Sequence, residues 1–190
     1  IAKLLSPTEL DAMAKSIGAG ATASSDIKPI AEGSHTTNLS VVDGNGMAVA
    51  LTTTLNTAWG SGVTIQGFLM NNEMDDFATK PGSPNVFGLV QSAKNKIEPG
   101  KRMLSSMSPT FVENDKGELV MVVGAQGGPR IISAVWQTMS NVIDFGRPAD
   151  AAVALPRFHH QHLPDVVFVE PKSLTKEAAG ELEKAGYKLD

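Results

Sequence analysis

Residues 34–56, which read SHTTNLSVVDGNGMAVALTTTLN, predict a β-hairpin, and the other motifs of the chain are interpreted in relation to it. Apolar and polar side chains alternate from Asn38 to Val41, a period of two that is typical of a half-buried strand. Residues 43–46 predict a tight turn, because Gly and Asn tolerate positive φ. A second strand then returns along the first. The hairpin therefore brings residues 36–37 and 53–54, all of them threonines, to the same end.

These threonines raise the question of nucleophilic catalysis. A Thr hydroxyl is a poor nucleophile unless a base lies beside it. One solution is a Thr that begins a chain, because its own α-amino group, with a reference pKa of about 7.7–8, can accept the proton. Thr36 is preceded by 35 residues, so this chemistry requires a cut between His35 and Thr36. The alternative is an ordinary Thr at the edge of a strand.

Composition indicates an ordered globular protein. The chain has 190 residues, of which 42% are hydrophobic and 19% charged, enough to bury a core. With a net charge of −4 and no basic stretch, no nucleic-acid partner is expected. No apolar run is long enough to cross a bilayer. The absence of cysteine excludes disulfides, thiolate catalysis and Cys-type zinc sites.

Periodicity, caps and turn residues predict the remaining secondary structure. Helices are predicted at 6–17, from about Arg130 to Phe145, from Pro148 to just before Pro156, and from Ser173 to Gly186. Strands are predicted at 68–71, 108–113, 119–123 and 166–169, with a linker at 18–35 and loops at 57–66 and 72–101. The long helix is expected to bury Ile132, Val135, Trp136, Met139, Val142 and Ile143. Two hairpins followed by helices predict a mixed α and β domain with antiparallel sheet.

Seven blocks of sequence together resemble the γ-glutamyltranspeptidase family, and they occur in the family's order. They are TTxxSVVD at 36–43, TLNT at 54–57, NNEMDDF at 71–77, KPG at 80–82, LSSMSPT at 104–110, GGxRII at 127–132 and PRFHHQ at 156–161. Each block alone is unspecific, and the ordered set is specific. The resemblance implies an α+β fold of the N-terminal-nucleophile hydrolase type. In that fold two stacked antiparallel sheets lie between helical layers, an αββα sandwich that is expected to be incomplete in this chain.

The resemblance implies that Thr36 is the nucleophile. Its hydroxyl would attack the His35 carbonyl, and water would open the resulting ester. Residues 1–35 would then be the C-terminal end of a large subunit with a cleavable linker, and residues 36–190 the small catalytic subunit, cut short at its C-terminus. Thr54 matches the threonine that orients the nucleophile in the family. The alternative for Thr54 is a β-favouring residue without a role in catalysis.

Gly127 and Gly128 match the family's oxyanion-hole glycines. Independently of the resemblance, glycines let backbone N–H groups approach a ligand, and the helix start that follows favours negative charge. The alternative is a plain turn from a loop into a helix. A phosphate-binding loop does not fit, because no Lys-Ser/Thr pair follows.

Substrate binding is assigned by the same resemblance. Asn56, Glu73 and Asp76 would hold the α-ammonium of a γ-glutamyl donor, since two carboxylates can stabilise a cation without a metal. Ser105 and Ser106 would donate to the donor's α-carboxylate. The alternative for the acidic residues is a solvated turn.

Hydroxyl groups bind a carboxylate only weakly, so an arginine is also expected to bind the α-carboxylate of the donor. In the family it comes from the large subunit, so neither Arg102 nor Arg130 is assigned to this role. The expected partners are a γ-glutamyl donor such as glutathione, an amino acid or peptide acceptor, and the remaining large-subunit portion of the same precursor. Without that portion the isolated chain is expected to be inactive.

Histidines 159, 160 and 162 suggest a metal site at first sight. The family has a similar run without a metal, so packing and hydrogen bonding are expected, and no metal or cofactor is predicted. The chain departs from the family at two residues, and it is also two residues shorter than the family between Gly62 and Asn71. Asn38 stands where an aromatic residue or His is often found, and Phe87 replaces a Tyr that gates the site in several relatives.

Two other functions stay open. Acylases of the cephalosporin or glutaryl type and enzymes that process poly-γ-glutamate share the scaffold. The chain could also be an uncleaved, inactive structural fragment. The residues themselves indicate no compartment, while the resemblance suggests the periplasm or export.

Overall fold

The computed structural model describes residues 36–190 together with Thr8, and the fold is given for these residues. The chain divides into two compact units, Ile1–Glu32 and Gly33–Asp190. The predicted helix at 6–17 and the linker at 18–35 lie outside the described residues, apart from Thr8.

The first hairpin has the predicted form. Strand β1 (Thr37–Val42) pairs antiparallel with β2 (Ala48–Thr53), and Thr37 lies opposite Thr53. Asp43 holds the turn, because its Oδ1 accepts from the backbone N–H groups of Asn45 and Met47 at 2.8 and 2.9 Å. The register therefore places the residues that flank the hairpin's open end next to each other.

The other strands also form antiparallel pairs. They are β3 (Thr64–Ile65) with β4 (Phe68–Leu69), β5 (Thr110–Glu113) with β6 (Leu119–Val123), and β7 (Phe158–His159) with β8 (Phe168–Val169). Strands β4 and β8 lie within the predicted strands at 68–71 and 166–169, whereas β3 lies in the predicted loop at 57–66 and β7 was not predicted. Within the described part of the chain the strands thus form four two-stranded sheets.

The strands predicted from the alternation are present, but the described residues do not bury their apolar side chains. Its large apolar side chains point to an exposed face, with Leu39, Val41, Val49 and Leu51 between 41% and 55% accessible. The opposite face, which carries Asn38 and Thr52, lies toward β6, which both strands contact. Alternation identifies a strand, but it does not tell which side the rest of this chain covers.

Three helices follow: α1 (Arg130–Ile143), α2 (Ala149–Ala154) and α3 (Lys176–Lys184). The first two agree with the prediction. The third begins later than predicted, because Thr175 rather than Ser173 is its N-cap, with Thr175 Oγ1 accepting from the Ala178 N–H at 3.1 Å.

The buried face predicted for α1 is wrong in part. Val135 is buried, but Ile132, Trp136 and Ile143 are 55–57% exposed. Gln137 is buried instead, because its side-chain amide donates to the Phe158 carbonyl at 2.8 Å and accepts from the Phe158 N–H at 3.2 Å. The helix thus presents a polar side chain to β7, and its apolar arc is wider than the surface that the described residues cover.

The long predicted loop at 72–101 is folded by two 3₁₀ turns, Glu73–Asp76 and Ala93–Asn95, and by single bridges between Ala78 and Lys96 and between Pro84 and Val90. Phe77 and Ala78 anchor it in the core. The buried hydrophobic residues of the described part are Phe77, Ala78, Ile131, Val135, Ala152 and Val167. Among the helices of this part, none combines the length and the apolar character needed to cross a membrane.

Candidate active site

One cavity gathers most of the residues that the sequence singled out. It is lined by Thr36, Thr54, Asn56, Glu73, Asp76, Phe87, Leu89, Gln91, Leu104, Ser105, Ser106, Met107, Gly128, Pro129 and Ile131. Eight of the predicted catalytic and binding residues are in this set. Gly127 is adjacent to it in the chain, and His35 lies outside the described residues.

The hairpin supplies the hydroxyl side of the cavity. Thr36 is buried, 7% exposed, immediately before β1, and Thr54 follows β2. The backbone N–H of Asn56 donates to Thr54 Oγ1 at 2.9 Å. Accepting this bond leaves the Thr54 hydroxyl proton available for a second bond. Two hydroxyls from neighbouring strand ends therefore line the same space.

Asn56 links the hairpin to the acidic turn. It is buried and has a φ of 78°, a left-handed conformation that Asn tolerates better than most residues. Its Nδ2 donates to the Asn72 carbonyl at 3.4 Å, and the Asn72 N–H donates to the Leu55 carbonyl at 3.2 Å. The chain just before Glu73 is thus tied to the end of β2.

Glu73 and Asp76 form a hydrogen-bonded acidic pair on the first 3₁₀ turn. Burial, the hydrogen bond to Asp76 and the charge of Asp76 raise the pKa of Glu73 to about 7. Burial, followed by the charge of Asp75, raises the pKa of Asp76, while its hydrogen bond with Glu73 acts in the opposite direction. Near neutral pH the two carboxyl groups therefore share a proton. A cation in the cavity would supply the missing opposite charge and lower the pKa of both.

The glycine loop between β6 and α1 supplies the backbone side of the cavity. Gly127 and Gly128 have backbone φ values of 122° and 56°, which residues with a Cβ rarely adopt. Their carbonyls accept from the N–H groups of Arg130 and Ile131, both at 3.1 Å, which starts helix α1. Because these bonds occupy the N–H groups of Arg130 and Ile131, the donors that this loop can offer to an anionic group are the N–H groups of Gly127 and Gly128.

Ser105 and Ser106 lie on an extended segment along the cavity. Ser105 Oγ accepts from the Met107 N–H at 3.2 Å, and the Ser106 carbonyl accepts from Ser108 Oγ at 2.9 Å. These local bonds order the segment without a regular element. The hydroxyl of Ser105 keeps its proton for donation to another group.

Several lining residues were missed as site residues, although some of them lie inside the motifs. Leu104, Met107 and Ile131 belong to the LSSMSPT and GGxRII blocks, so their position in those blocks was the available signal. Pro129 stands at the variable position of GGxRII, and Leu89 and Gln91 carried no signal of their own. Phe87 was noted only as a departure from the family.

The histidines engage in separate hydrogen bonds. His159 is buried, with its Nδ1 2.6 Å from Ser133 Oγ and its Nε2 2.9 Å from Gln161 Oε1. His160 Nε2 lies 3.1 Å from Asp165 Oδ1. Among the described residues no three metal-binding side chains come together.

Asn38, the other departure from the family, lies between its own hairpin and Gly124, the residue that follows β6. Its Nδ2 donates to the Leu51 carbonyl at 3.1 Å and to Thr52 Oγ1 at 2.8 Å. A Cβ placed on Gly124 would lie 2.0 Å from the same Nδ2. The Asn38 side chain therefore occupies the space that a residue larger than Gly would need at the start of the glycine loop.

Comparisons with known proteins agree with this geometry. The family model described as gamma-glutamyltranspeptidase matches residues 1–190. The glutathione hydrolase proenzyme of Pseudomonas aeruginosa is 45% identical over 195 residues, which cover 100% of this chain and 35% of the relative. The glutathione hydrolase proenzyme of Escherichia coli is 49% identical over 160 residues, which cover 83% of this chain and 27% of the relative. The chain thus spans about a third or less of the length of these curated relatives.

Solved structures have the same fold. A mutant of the Helicobacter pylori γ-glutamyltranspeptidase superposes with a TM-score of 0.77 at 47% identity, covering 81% of this chain and 83% of that chain. An acivicin-inhibited γ-glutamyltranspeptidase, whose C-terminus is described as critical for autoprocessing and catalysis, superposes with a TM-score of 0.77 at 47% identity, covering 81% and 82%. The predicted α+β fold of the N-terminal-nucleophile hydrolase type is confirmed by these neighbours. Because the family model matches the chain over its whole length and the relatives are this similar in sequence, the chain belongs to the γ-glutamyltranspeptidase family.

Proposed function

We propose that the whole protein transfers γ-glutamyl groups from glutathione and other γ-glutamyl compounds to water or to amino acids and peptides, through an ester on Thr36. One observation carries this proposal: a single cavity contains a buried Thr at a strand start, a glycine at a helix start and a pair of carboxyl groups. These groups correspond to a nucleophile, an oxyanion site and a cation site.

Activation is by self-cleavage. The Thr36 hydroxyl attacks the His35 carbonyl carbon, the peptide C–N bond breaks, and an ester forms while the α-nitrogen of Thr36 becomes a free amine. Water then hydrolyses the ester, which leaves a carboxylate on His35. Residues 1–35 become the end of a large subunit and residues 36–190 belong to the small one. The relatives from P. aeruginosa and E. coli are themselves named proenzymes, which supports this step.

In turnover the freed amine of Thr36 is the general base. It takes the hydroxyl proton as Oγ attacks the γ-carbonyl carbon of the donor. The resulting oxyanion is stabilised by the N–H groups of the loop at Gly127 and Gly128, and loss of one such donor costs about 2.7–4 kcal/mol in other enzymes. The intermediate then collapses, the amide bond of the donor breaks, and the leaving amine takes the proton from the α-ammonium of Thr36. Water or an acceptor amine then attacks the ester and restores Thr36.

The acidic pair selects the donor. A γ-glutamyl group carries an α-ammonium, and Glu73, Asp76 and Asn56 supply charge and a hydrogen-bonding group for it. Ser105 and Ser106 donate to the α-carboxylate. A glutaryl group has no ammonium at this place, so the acidic pair disfavours the acylase alternative. Poly-γ-glutamate carries its α-amine only at the chain end, so a short γ-glutamyl donor fits better.

The test is the intact mass of the whole protein with and without Thr36→Ala. The parent protein should separate into pieces that end at His35 and begin at Thr36, and it should release p-nitroaniline from γ-glutamyl-p-nitroanilide. Thr36→Ala should stay uncut and inactive, whereas Thr36→Ser, which keeps a hydroxyl, should still be cut slowly. A Thr36→Ala variant that matures and turns over normally would overturn the proposal. A parent protein that stays uncut and inactive would support the alternative of a structural fragment.

A further inference from the structure

The turn at residues 85–89 covers part of the cavity. Asn85 closes it, because its Oδ1 accepts from the N–H groups of Phe87 and Leu89, both at 3.0 Å, and its backbone N–H donates to the Leu89 carbonyl at 3.0 Å. A Cβ placed on Gly128 would lie 3.0 Å from Phe87 Cε1. The Phe87 ring therefore lies directly against the glycine that faces the cavity.

One edge of this turn is fastened to the acidic turn. The Val86 N–H donates to Asp75 Oδ2 at 3.0 Å, and Asn85 Nδ2 donates to the Asp75 carbonyl at 3.4 Å. These bonds connect segments that are close in sequence. They do not involve the Phe87 carbonyl, which accepts a hydrogen bond from a distant segment.

The donor to the Phe87 carbonyl is Gln161, which lies 74 residues further along the chain. Gln161 Nε2 donates to the Phe87 carbonyl at 3.1 Å and to the Leu163 carbonyl at 3.1 Å. Because both of its partners are carbonyls that can only accept, the orientation of the amide is determined. The other atom of the amide, Oε1, must therefore accept.

His159 completes this arrangement. Its Nε2 lies 2.9 Å from Gln161 Oε1, so Nε2 carries the proton and donates. In the neutral ring Nδ1 then accepts from the Ser133 hydroxyl at 2.6 Å. Ser133 lies in the second turn of α1, the helix that starts at the glycine loop. A chain of side-chain bonds thus runs from α1 through His159 and Gln161 to the residue that covers Gly128.

We propose that Gln161 is a positioning residue for the active site, oriented by His159, and that it sets how closely Phe87 covers Gly128. The proposal rests on the proposed function, because it concerns the same cavity. Its physical basis is that a covered acyl-enzyme is shielded from water. Loosening the turn has two consequences: the donor is held less well, and water competes better with amine acceptors for the ester on Thr36.

The experiment replaces Gln161 with Leu in the whole protein. Removal of the half-buried bond to Phe87 should raise KM for γ-glutamyl-p-nitroanilide about five-fold. The ratio of hydrolysis to transfer, measured with glycylglycine as acceptor, should rise by a similar factor, while cleavage between His35 and Thr36 proceeds normally. His160→Ala is the matched control, because His160 neighbours the network in sequence but is paired with Asp165. It should change neither KM nor the ratio.

A double-mutant cycle with Phe87→Ala separates positioning from general destabilisation. If Gln161 acts through Phe87, Gln161→Leu should have no further effect on the ratio in the Phe87→Ala background. Equal effects in both backgrounds, or an unchanged KM and ratio in Gln161→Leu, would overturn the inference. If Gln161→Leu does not fold, Ser133→Ala tests the same chain of hydrogen bonds from its other end. This variant should also raise the ratio of hydrolysis to transfer. An unchanged ratio in Ser133→Ala would overturn the inference. A parent protein that is uncut and inactive would instead refute the proposed function.

Discussion

The two walls of the cavity are built in different ways. The wall with Thr36 and Gly128 comes from regular elements, since β1 starts directly after Thr36 and α1 starts two residues after Gly128. The wall with Glu73 and Asp76 comes from a single 3₁₀ turn. That turn is held by side-chain amides, because Gln91 Nε2 and Asn95 Nδ2 both donate to the Asp76 carbonyl, at 3.1 and 2.7 Å.

The difference follows from what each wall is proposed to do. Attack on a carbonyl and stabilisation of an oxyanion require positions accurate to about 0.5 Å, which sheets and helices provide. Attraction between carboxylates and an ammonium falls only gradually with distance, so a loop can provide it. We call the wall with Thr36 and Gly128 the reacting wall and the wall with Glu73 and Asp76 the recognising wall. A substitution should therefore reduce activity or stability more on the reacting wall than on the recognising wall, and three predictions test this.

The largest effect is expected at Gly128. Gly128→Ala would place a Cβ 3.0 Å from the Phe87 ring at a φ of 56°, and would displace the backbone N–H groups that are proposed to bind the oxyanion. We expect kcat/KM of the whole protein to fall by about 10²–10³.

Gly180→Ala is the matched control for this prediction. Gly180 is inside α3, and a Cβ there meets nothing within 4 Å. This variant should keep its activity and gain stability of about 1 kcal/mol. Normal activity in Gly128→Ala would contradict the assignment of the glycine wall to the reaction.

An intermediate effect is expected at Gly124, where the two hairpins that build the reacting wall meet. Gly124→Ala should destabilise the protein by about 1–3 kcal/mol in urea unfolding, because its Cβ would overlap the Asn38 side chain. The cause is steric, since Gly124 does not have a positive φ. Adding Asn38→Ala removes the overlapping atoms, so the double variant should be less destabilised than the sum of the single ones. Strict additivity would show that the two residues do not interact.

A smaller effect is expected on the recognising wall. Because burial raises the pKa of Glu73 to about 7, its negative charge appears as the pH rises through neutrality. KM for a donor with an α-ammonium should therefore fall between pH 6 and pH 8. Glu73→Gln should raise KM at pH 8 about ten-fold and flatten this pH dependence, since a charged hydrogen bond contributes about 1.5–3 kcal/mol.

Asp115→Asn is the control for the acidic wall. Asp115 is an exposed carboxylate in the turn between β5 and β6, outside the cavity. Its replacement should leave KM and its pH dependence unchanged. A pH dependence of KM that persists in Glu73→Gln would show that it does not arise from ionisation of Glu73.

Local patterns were sufficient to predict the first hairpin and the start of α1. Asp43 and the glycines of its turn specify a reversal within a few residues, and the register that follows places residues 36 and 54 side by side. The order of the motif blocks likewise led to the residues that line the cavity. Among the two-residue strands, β4 and β8 lie in apolar runs and were predicted, whereas β3 lies in a stretch rich in Gly, Ser and Thr that was predicted as a loop.

Tertiary structure decided which faces are covered and what closes the cavity. The apolar side of α1 that was expected to be buried is exposed at Trp136, whereas Gln137 is buried and hydrogen-bonded to β7. The hydrogen bond from Gln161 to Phe87 joins segments 74 residues apart, and no local pattern encodes it. Periodicity and turn chemistry act between near neighbours in the chain. Burial and long-range hydrogen bonds depend on which segments meet, and that is determined only when the whole domain packs.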